Sequence, residues 1–371
     1  MKIGIVTFHC AYNFGSALQA YALKEYLVQR GHDVHIIDYR SANFDMYKLF
    51  RRQGLKSYVS DLLFMPGNIR RRRSYQTFWK EHLNLTEKTY QGDTAESDLQ
   101  NDFADYDALI CGSDQIWNLD CTFGPLPPFF LSFAPGHAKK IAYAPSLAHK
   151  HFEPRNFTAE DQERISNWLN RMDSVSVREL SVADQFKKLT HNEVVETLDP
   201  TLLLNLYDYK GIQSDTLPKG LKAGKYIFAY TLVPNPDMVK YLDKLAGQRN
   251  LTIVYYSRKP IHYTARSVNV WGIGPSEFLS LIDKADSVVS NSFHATVFSI
   301  LYNKPFLTFG TEKSSSRMKT LLTKLGLDQR HLLAPDFKGT EGTMPFEPNL
   351  DVKKLDDMRK RSELFLKNSL E

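Results

Sequence analysis

The sequence predicts an α/β protein in which parallel sheets carry helices on both faces. Three observations lead to this class. Short β-branched runs alternate with amphipathic helical segments, polar turns follow most of those runs, and the chain of 371 residues exceeds one ordinary core. Strands that alternate with helices are typical of parallel sheets, because each crossover helix packs back onto a sheet face. We therefore expect two domains of this kind.

The first half begins with a βαβ unit. Residues 2–7 form a β-branched run, residues 17–30 place apolar side chains on one helical face before Gly31, and residues 34–38 form the second strand. A parallel crossover of this type is right-handed. Further strands are expected at residues 107–111, 140–144, 174–177 and 194–198, with helices at residues 160–172 and 181–188.

The second half repeats this alternation. Strands are expected at residues 226–231, 251–256, 287–289 and 306–309, and helices at residues 236–249, 275–284, 295–302 and 317–325. A stretch rich in Gly and Pro at residues 205–224 indicates a linker. We therefore place the first domain at residues 1–205 and the second at residues 206–345. Residues 346–371 contain a terminal amphipathic helix that can cross back to the first domain.

Residues 41–100 interrupt the first domain with a polar, basic segment, which we interpret as a helical insertion. Residues 48–80 contain nine cations and one acid, Asp61, with apolar side chains interleaved. A basic amphipathic segment fits an anionic membrane surface, and a solvated helical hairpin is the alternative. No nucleic-acid-binding motif accompanies the charge, so no nucleic-acid partner is expected.

Composition and motifs disfavour several classes of protein. The three cysteines form no CxxC pair, which is typical of a reducing compartment, and the N-terminal apolar run is too short for a signal segment. We therefore expect a cytoplasmic protein. Neither a P-loop nor a GxGxxG motif follows a strand, which disfavours nucleotide cofactors. The histidines lack metal-ligand spacing, so neither a metal nor another cofactor is expected.

The most informative stretch runs from Asp286 to Gly310, where strand, polar turn, buried helix and strand follow one another. Ser290, Asn291 and Ser292 in the turn are good helix N-cap types. A helix N-terminus presents N–H groups to an anion, and His294 can exchange a proton near neutral pH. The turn therefore suits an anionic substrate and an acid–base step.

Polar side chains follow several other predicted strands. They are Asn13 and Gly15, Ser113 and Asp114, Arg178 and Glu179, and Asp199. The carboxyl ends of parallel strands meet at one edge of a sheet, so these groups can converge on a cleft. Arg178 and Glu179 could equally form a structural ion pair. Cations outside the basic segment that could hold a phosphate or carboxylate are Arg178, Arg258, Lys259 and Arg317.

Several blocks of this sequence together resemble the polysaccharide pyruvyl transferases. The blocks are residues 12–23 (YNFGSALQAYAL), 110–118 (ICGSDQIWN), 176–179 (SVRE), 198–201 (LDPT) and 290–294 (SNSFH). Their combination and order are specific, whereas no single block is. The resemblance covers about residues 1–330 and implies two Rossmann-like domains in a GT-B-type arrangement.

The resemblance also implies an activity. Members of this family transfer the pyruvyl group of phosphoenolpyruvate to two hydroxyls of a sugar, forming a cyclic ketal and releasing phosphate. The histidine of the last block is a functional residue of the family and matches His294. Some members carry Arg-Leu-His where this chain has Ser292-Phe-His294. Either Arg317 or Arg178 replaces that arginine, or the donor differs.

On this basis we assign three sets of candidate residues. The catalytic candidates are His294, Glu179 and Asp114. The donor-binding candidates are Arg178, Arg317, Asn291, Ser292 and Ser316. The acceptor-binding candidates are Asn13, Gly15, Gln19, Ser113, Gln115 and Trp117. The first domain is the expected acceptor side, and the second domain is the expected donor side.

The expected partners are phosphoenolpyruvate and a saccharide acceptor, either a surface polysaccharide or its lipid-linked precursor. Residues 48–80 are expected to contact the inner face of an anionic membrane. One alternative is a GT-B glycosyltransferase, which would use a nucleotide sugar and bind a nucleoside diphosphate. A second alternative is a non-catalytic scaffold of a polysaccharide assembly complex. No oligomeric state follows from the sequence.

Overall fold

The computed structural model describes residues 1–41, 62, 64–147, 158–180, 183–257, 260–310, 315–328, 331–332 and 351–371. The chain divides into two compact units. The first unit comprises Met1–Lys48, Trp79–Leu204 and Asp356–Glu371, and the second comprises Leu49–Phe78 and Asn205–Leu355.

Seven parallel strands form the sheet of the first unit, in the spatial order β3-β2-β1-β4-β5-β6-β7. The strands are β1 (Lys2–Val6), β2 (Asp33–Tyr39), β3 (Leu85–Tyr90), β4 (Ala108–Cys111), β5 (Lys139–Ala142), β6 (Ser174–Val177) and β7 (Val194–Glu196). Ile5 of β1 pairs with Ile36 of β2 and Ile110 of β4, and all three are fully buried. Such continuous burial requires helices on both faces of the sheet, as the alternating pattern predicts.

The helices with residues in the first unit begin with α1 (Phe14–Val28). They continue with α2 (Met65–His82, shared with the second unit), α3 (Ala95–Asp102), α4 (Leu119–Thr122), α5 (Ala159–Leu169) and α6 (Asp184–Lys187). Burial of α1 extends beyond the apolar face that the pattern predicts, because 13 of its 15 residues are buried. A helix buried on all sides tolerates small polar residues only where they are hydrogen-bonded.

The helical insertion expected at residues 41–100 is only partly helical. Leu85–Tyr90 forms β3, which pairs with β2 at the edge of the sheet. This strand has the sequence LTEKTY and is half-buried, so it lacks the apolar run by which the other strands are predicted. Residues 49–78 group with the second unit, although the prediction placed them in the first domain. Residues 42–61 and 63 lie outside the described residues.

Six parallel strands form the sheet of the second unit, in the order β10-β9-β8-β11-β12-β13. The strands are β8 (Tyr226–Tyr230), β9 (Thr252–Tyr256), β10 (Ser267–Asn269), β11 (Ser287–Ser290), β12 (Phe306–Phe309) and β13 (His331–Leu332). The helices are α7 (Leu206–Lys210), α8 (Pro236–Arg249), α9 (Pro275–Asp283), α10 (Phe293–Leu301) and α11 (Ser315–Leu325). Asn235 caps α8 by accepting a hydrogen bond of 3.0 Å from the Met238 N–H.

The N-terminal part of α2 is an integral part of the second unit. Asn68 Oδ1 accepts a hydrogen bond of 3.0 Å from Trp271 Nε1. The Arg71 guanidinium stacks 4.3 Å from the centre of the same indole ring and donates to the Tyr256 hydroxyl at 3.4 Å. Ser74 contacts Glu277 at 3.5 Å. These three side chains are therefore packed within the second unit, whereas Arg70, Arg72 and Arg73 of the same helix are exposed, as the solvated alternative expects.

The last helix, α12 (Val352–Leu370), belongs to the first unit from Asp356 onward. Its Arg359 Nε donates to the Leu202 carbonyl at 2.8 Å, and the Leu198 N–H donates to Ser362 Oγ at 2.9 Å. Among the residues that the structure describes, no helix combines the length and apolar character that a membrane crossing requires.

Candidate active site

Polar residues follow five neighbouring strands at the carboxyl edge of the first unit's sheet. Asn13 follows β1, Asp114 follows β4, Ser146 follows β5, Arg178 follows β6 and Asp199 follows β7. These strands are consecutive in the order β1-β4-β5-β6-β7, so the residues line one continuous edge. This is the edge at which open parallel sheets bind ligands.

The turn between β1 and α1 is tied to the end of β4. Asn13 caps α1, its side-chain oxygen accepting hydrogen bonds from the Gly15 N–H at 2.9 Å and the Ser16 N–H at 3.4 Å. The Ser16 hydroxyl donates to Asp114 Oδ2 at 2.5 Å. The predicted neighbours Asn13, Gly15 and Asp114 therefore do come together. Gly15 is buried and has no side chain, so any part it takes in binding is through its backbone.

Gln19 braces this turn from inside and has no exposed surface. Its amide nitrogen donates to Thr7 Oγ1 at 2.9 Å and to the Phe8 and Ser16 carbonyls at 3.1 and 3.0 Å. Its amide oxygen accepts a hydrogen bond of 3.1 Å from the Ser113 N–H. The polar atoms of Gln19 thus hold two loops together, and its assignment to acceptor binding stays a prediction.

Two other acceptor-binding candidates are also buried. The Ser113 hydroxyl donates to the Ala144 carbonyl at 2.7 Å, and Ser113 is fully buried. Trp117 is fully buried as well, with its indole N–H bonded to the Phe129 carbonyl at 2.9 Å and its ring stacked on Phe130. Both side chains therefore support the loop after β4, and their assignment to acceptor binding stays a prediction.

Gln115 is the half-buried candidate of this loop. Its amide oxygen accepts a hydrogen bond of 2.8 Å from Asn118 Nδ2. Asn118 in turn caps the short helix α4 through the Asp120 N–H at 3.2 Å. Gln115 retains surface for a ligand, so it remains an acceptor-binding candidate together with Asn13.

Gly112 explains why the loop after β4 can take this path. Its φ of +122° lies in a region that other residues rarely adopt, and a Cβ atom there would lie 2.1 Å from the Tyr143 carbonyl oxygen. The backbone of β4 and the segment after β5 can therefore approach closely only with glycine at this position.

Arg178 lies at the centre of a buried group of carboxylates. Its guanidinium contacts Asp199 Oδ2 at 2.5 Å and Glu179 Oε1 at 3.5 Å, and all three side chains are 3% exposed or less. Burial alone would lower the pKa of Arg178, but Glu179, Asp199 and Asp114 raise it above its usual value. Arg178 is therefore a permanent cation, and the prediction of a structural ion pair describes it well.

The carboxylates outnumber the cation in this group. Asp114, Glu179 and Asp199 surround Arg178, and Glu179 Oε1 also accepts a hydrogen bond of 2.6 Å from the Ser146 hydroxyl. Because Arg178 is already matched by nearby carboxylates, it is poorly suited to hold a further anion. The assignment of Arg178 to donor binding is thus disfavoured, whereas carboxylates suit the hydroxyls of a sugar.

Sequence reasoning did not select the serines that complete this edge. Ser16 donates to Asp114, and Ser146 donates to Glu179. Thr201 likewise donates to Asp199 Oδ1, through its hydroxyl at 2.6 Å and its N–H at 3.0 Å. The available signal for Ser146 and Thr201 was their position a few residues after a strand end, whereas Ser16 lies in the first turn of α1.

In the second unit, the turn from β11 to α10 is held by its own polar side chains. The Ser290 hydroxyl donates to the Tyr230 carbonyl at 2.6 Å and accepts from the Ser292 N–H at 3.0 Å. Ser292 is the N-cap of α10, and its hydroxyl accepts from the Ala295 N–H at 3.5 Å. The predicted N-cap is therefore confirmed, and the helix starts two residues earlier than expected, at Phe293.

Asn291 fastens this turn to the loop that follows β8. Its side-chain oxygen accepts a hydrogen bond of 2.7 Å from the Leu232 N–H, and its side-chain nitrogen donates to the Val233 carbonyl at 2.7 Å. Asn291 is only 4% exposed. The side chain of Asn291 thus holds the loop after β8, and any role of Asn291 in donor binding would act through that loop.

His294 is the second residue of α10, within the turn that carries the N-terminal N–H groups of the helix. It is 8% exposed, and its ring meets the Phe293 ring edge-on with centres 5.3 Å apart. The other residues of α10 up to Ile300 are buried. The sequence thus places a group that can exchange a proton at the positive end of a buried helix.

Ser316 and Arg317 lie in the first turn of α11, since this helix starts at Ser315. Their side chains lie outside the described part of the structure, as do residues Arg258 and Lys259. The backbone position of Arg317 agrees with the expectation that it opens a helix after a strand.

A further group of potential metal ligands occurs near the end of β1. Among the described residues, His9, Cys10 and Asp38 bring one ligand atom each within 4.8 Å of one another. His9 Nε2 lies 2.8 Å from Asp38 Oδ1, and Nδ1 lies 3.1 Å from the Thr7 carbonyl oxygen. Burial alone would lower the pKa of His9, but the Cys10 sulfur and the Asp38 carboxylate raise it from 6.5 to about 10, so a metal ion would have to compete with a proton.

Comparison with solved structures agrees with this architecture. A protein described as a UDP-N-acetylglucosamine 2-epimerase from Listeria monocytogenes has a TM-score of 0.52 at 8% identity, covering 97% of this chain and 90% of the other. The UDP-GlcNAc 2-epimerase of Methanocaldococcus jannaschii has a TM-score of 0.48 at 10% identity, covering 98% of this chain and 100% of the other. The E. coli heptosyltransferase WaaC has a TM-score of 0.43 at 12% identity, covering 96% and 99%. The first likeness supports the fold alone, which is α/β with parallel sheets, as predicted.

Sequence comparison identifies the family. No curated protein matches the chain significantly in sequence. The family model described as polysaccharide pyruvyl transferase matches residues 13–313, which include Asn13, Asp114, Arg178, Asp199 and His294. This match confirms the resemblance that the sequence blocks indicate. The chain therefore belongs to the polysaccharide pyruvyl transferase family.

Proposed function

We propose that this protein transfers the pyruvyl group of phosphoenolpyruvate to two hydroxyls of a sugar in a surface polysaccharide or its lipid-linked precursor. The observation that carries the proposal is the position of His294. It lies in the first turn of α10, within the segment that matches the family, where a general base meets helix N–H groups.

The second unit is the proposed donor side. Phosphoenolpyruvate carries a carboxylate and a phosphate, which helix N-termini and arginine bind well. The N-terminal turn of α10 supplies N–H groups, and Arg317 in the first turn of α11 supplies the cation. Arg317 is preferred over Arg178 because Arg178 is enclosed by carboxylates.

The first unit is the proposed acceptor side. Asp114 and Glu179 each already accept a short hydrogen bond from a serine hydroxyl, at 2.5 and 2.6 Å. The hydroxyls of a sugar are donors of the same chemical type. An edge with more carboxylates than cations therefore favours a neutral polyol over a second anion.

The proposed chemistry balances without a redox partner. A proton adds to the methylene carbon of phosphoenolpyruvate, and one sugar hydroxyl attacks C2, losing its proton to His294. A second hydroxyl then attacks the same carbon as the C–O bond to phosphate breaks. The two hydroxyls release two protons, which balance the proton added to the methylene carbon and the proton that leaves on hydrogen phosphate. Glu179 or Asp114 is the proposed proton donor or hydroxyl-orienting group.

The proposal includes no metal ion. The charge of the departing phosphate is assigned to Arg317 and to the N-terminal N–H groups of α10, which would stabilise it as it develops. The His9, Cys10 and Asp38 group takes no part in the proposed reaction.

A thermal-shift titration tests the donor. A ligand that binds only the native state raises Tm, so phosphoenolpyruvate should raise Tm in the wild type and in Lys319→Ala but not in Arg317→Ala. Lys319 is an exposed cation on the same helix and serves as the matched control. A shift with UDP, GDP or CMP but not with phosphoenolpyruvate would favour a nucleotide-sugar glycosyltransferase. No shift with any of these, together with full biological output in His294→Ala, would favour a scaffold.

We also propose that the exposed arginines of α2 contact an anionic membrane at the cytoplasmic face, where a lipid-linked acceptor would lie. Arg70, Arg72 and Arg73 are exposed, and Ile69 beside them is 39% exposed. Arg71 is unavailable for this contact because it stacks on Trp271. The cations at residues 48, 51, 52 and 56 lie outside the described residues.

A further inference from the structure

The C-terminal helix holds the segment of chain that carries Asp199. We define the Asp199 turn as residues 198–202, which follow β7. The Leu198 N–H donates to Ser362 Oγ at 2.9 Å, and the Leu202 carbonyl accepts from Arg359 Nε at 2.8 Å. Both ends of the turn are therefore bonded to side chains of α12.

A third contact completes this support. The Tyr143 hydroxyl donates to the Leu198 carbonyl at 2.9 Å, so both polar backbone groups of Leu198 are held. The Tyr143 ring lies 6.3 Å from the ring of Phe365, centre to centre. Tyr143 and Ser362 are fully buried or nearly so, which leaves these hydrogen bonds little competition from water.

The Asp199 turn in turn positions the buried carboxylates around Arg178. Asp199 Oδ1 accepts from Thr201, while Asp199 Oδ2 contacts Arg178 at 2.5 Å. Arg178 in turn contacts Glu179, which accepts the Ser146 hydroxyl. A shift of the turn would therefore move Asp199 away from Arg178 and alter the direction of the Glu179 carboxylate.

We propose that Ser362 and Arg359 are positioning residues for the acceptor side of the reaction. The proposal rests on the proposed function in that it assigns Glu179 and Asp114 to the sugar hydroxyls. Both positioning residues lie beyond residues 13–313, the segment that matches the family. The C-terminal helix thus takes part in the site through the Asp199 turn, and neither side chain needs to touch a substrate.

The chain supplies a matched control for Ser362. Ser369 is a second buried serine of α12, and its hydroxyl donates to the Phe365 carbonyl four residues earlier at 2.8 Å. Ser362 makes the equivalent bond to the Met358 carbonyl at 3.0 Å. The two serines therefore differ in the contact with Leu198, and an alanine at either position removes the same kind of bond within the helix.

Steady-state kinetics with the full chain test the proposal. In Ser362→Ala and Arg359→Ala we expect kcat/KM for the saccharide acceptor to fall on the order of 10- to 100-fold, since small misplacements of a reacting group have effects of this size. The KM for phosphoenolpyruvate should stay unchanged. Ser362→Thr should restore activity, and Ser369→Ala should resemble the wild type. Equal losses in Ser362→Ala and Ser369→Ala would overturn the proposal.

Hydrogen exchange gives a readout that does not depend on the reaction. The amides of residues 198, 199, 201 and 202 should exchange faster in Ser362→Ala than in the wild type or in Ser369→Ala, because the Leu198 N–H loses its acceptor and the turn is held less firmly. Unchanged exchange would overturn the positioning role even in a protein that transfers no pyruvyl group. Conversely, a wild type without pyruvyl transfer would contradict the proposed function alone.

Discussion

The guanidinium of Arg178 lies 2.5 Å from the carboxylate of Asp199, and both side chains are almost completely buried. The two residues come from the ends of neighbouring strands, β6 and β7. This contact commits the buried cation to a protein carboxylate.

Breaking this pair should destabilise the protein strongly. Arg178→Met leaves Asp199 and Glu179 buried without their cation, which typically costs about 3–5 kcal/mol. Urea unfolding of the wild type and variant measures the difference. The control is Arg249→Met, which removes the half-exposed contact with Asp286 at 2.6 Å and should cost no more than about 1 kcal/mol. Similar losses in both variants would contradict the assigned role of Arg178.

His294→Ala should lower kcat by about 10²–10⁴-fold, the usual contribution of a general base. Binding of phosphoenolpyruvate should persist, because the N–H groups of α10 remain. His262→Ala is a suitable control, since His262 is exposed in the same unit and follows β9, which β8 separates from β11. Turnover measured as phosphate release decides the question; an active His294→Ala protein would remove this histidine from the mechanism.

Gly112→Ala should destabilise the first unit. The added methyl group would overlap the Tyr143 carbonyl oxygen. An alanine held at the positive φ of residue 112 would add backbone strain of about 1–2 kcal/mol. Gly136→Ala has no atom within 4 Å of the new Cβ and should be nearly neutral. Tm values of the two variants provide the measurement, and equal values would refute the proposed close approach.

The His9 network should make stability depend on pH on the alkaline side. Burial alone would lower the pKa of His9, but the neighbouring Cys10 sulfur and the Asp38 carboxylate raise it from 6.5 to about 10. A raised pKa contributes stability that is complete below about pH 6.5 and is lost as pH rises through about 10.

Urea unfolding between pH 6 and pH 10 tests this expectation. The wild type should lose more stability over this range than His9→Gln, which cannot carry the charge. Tyrosine and lysine ionisation affects both proteins equally, so the difference isolates His9. Parallel curves would show that His9 is not held as a cation.

Membrane association should depend on the exposed arginines of α2. Replacing Arg70, Arg72 and Arg73 with Ser removes about 1 kcal/mol of attraction per residue, or roughly 100-fold in affinity for vesicles that contain an anionic lipid. The control replaces three exposed lysines of the same unit, Lys219, Lys222 and Lys225. Equal binding of the wild type and both variants in vesicle sedimentation would argue against this surface.

Most of the strands could be predicted from the sequence because they are buried on both faces. The strands at residues 174–177 and 306–309 match the prediction at both ends. The missed strands, β3, β10 and β13, lie at the edges of the two sheets. The residues of β3 and β10 are partly exposed, so no apolar run marks those two strands.

The candidate site was predictable as a set of positions and less so as a set of roles. Strand ends locate Asp114 and Arg178 in the first sheet and His294 in the second, because chain order and parallel pairing fix the carboxyl edge of each sheet. The burial of Gln19 was not predictable, since a helical glutamine is ordinarily exposed and its partners lie in two separate loops. The contact of Asp199 with Arg178 likewise joins residues that are distant in the sequence.

The docking of Asn68 and Arg71 on Trp271 has a consequence for how the chain can be divided. The C-terminal half of the gene, expressed alone, would lack the segment that covers this indole and would expose it to water. During synthesis, residues 64–78 leave the ribosome about 200 residues before Trp271 and Glu277, so they cannot form these contacts until the second half of the chain has been made. The second unit can therefore be exchanged between relatives as a functional module only if the N-terminal part of α2 is exchanged together with it.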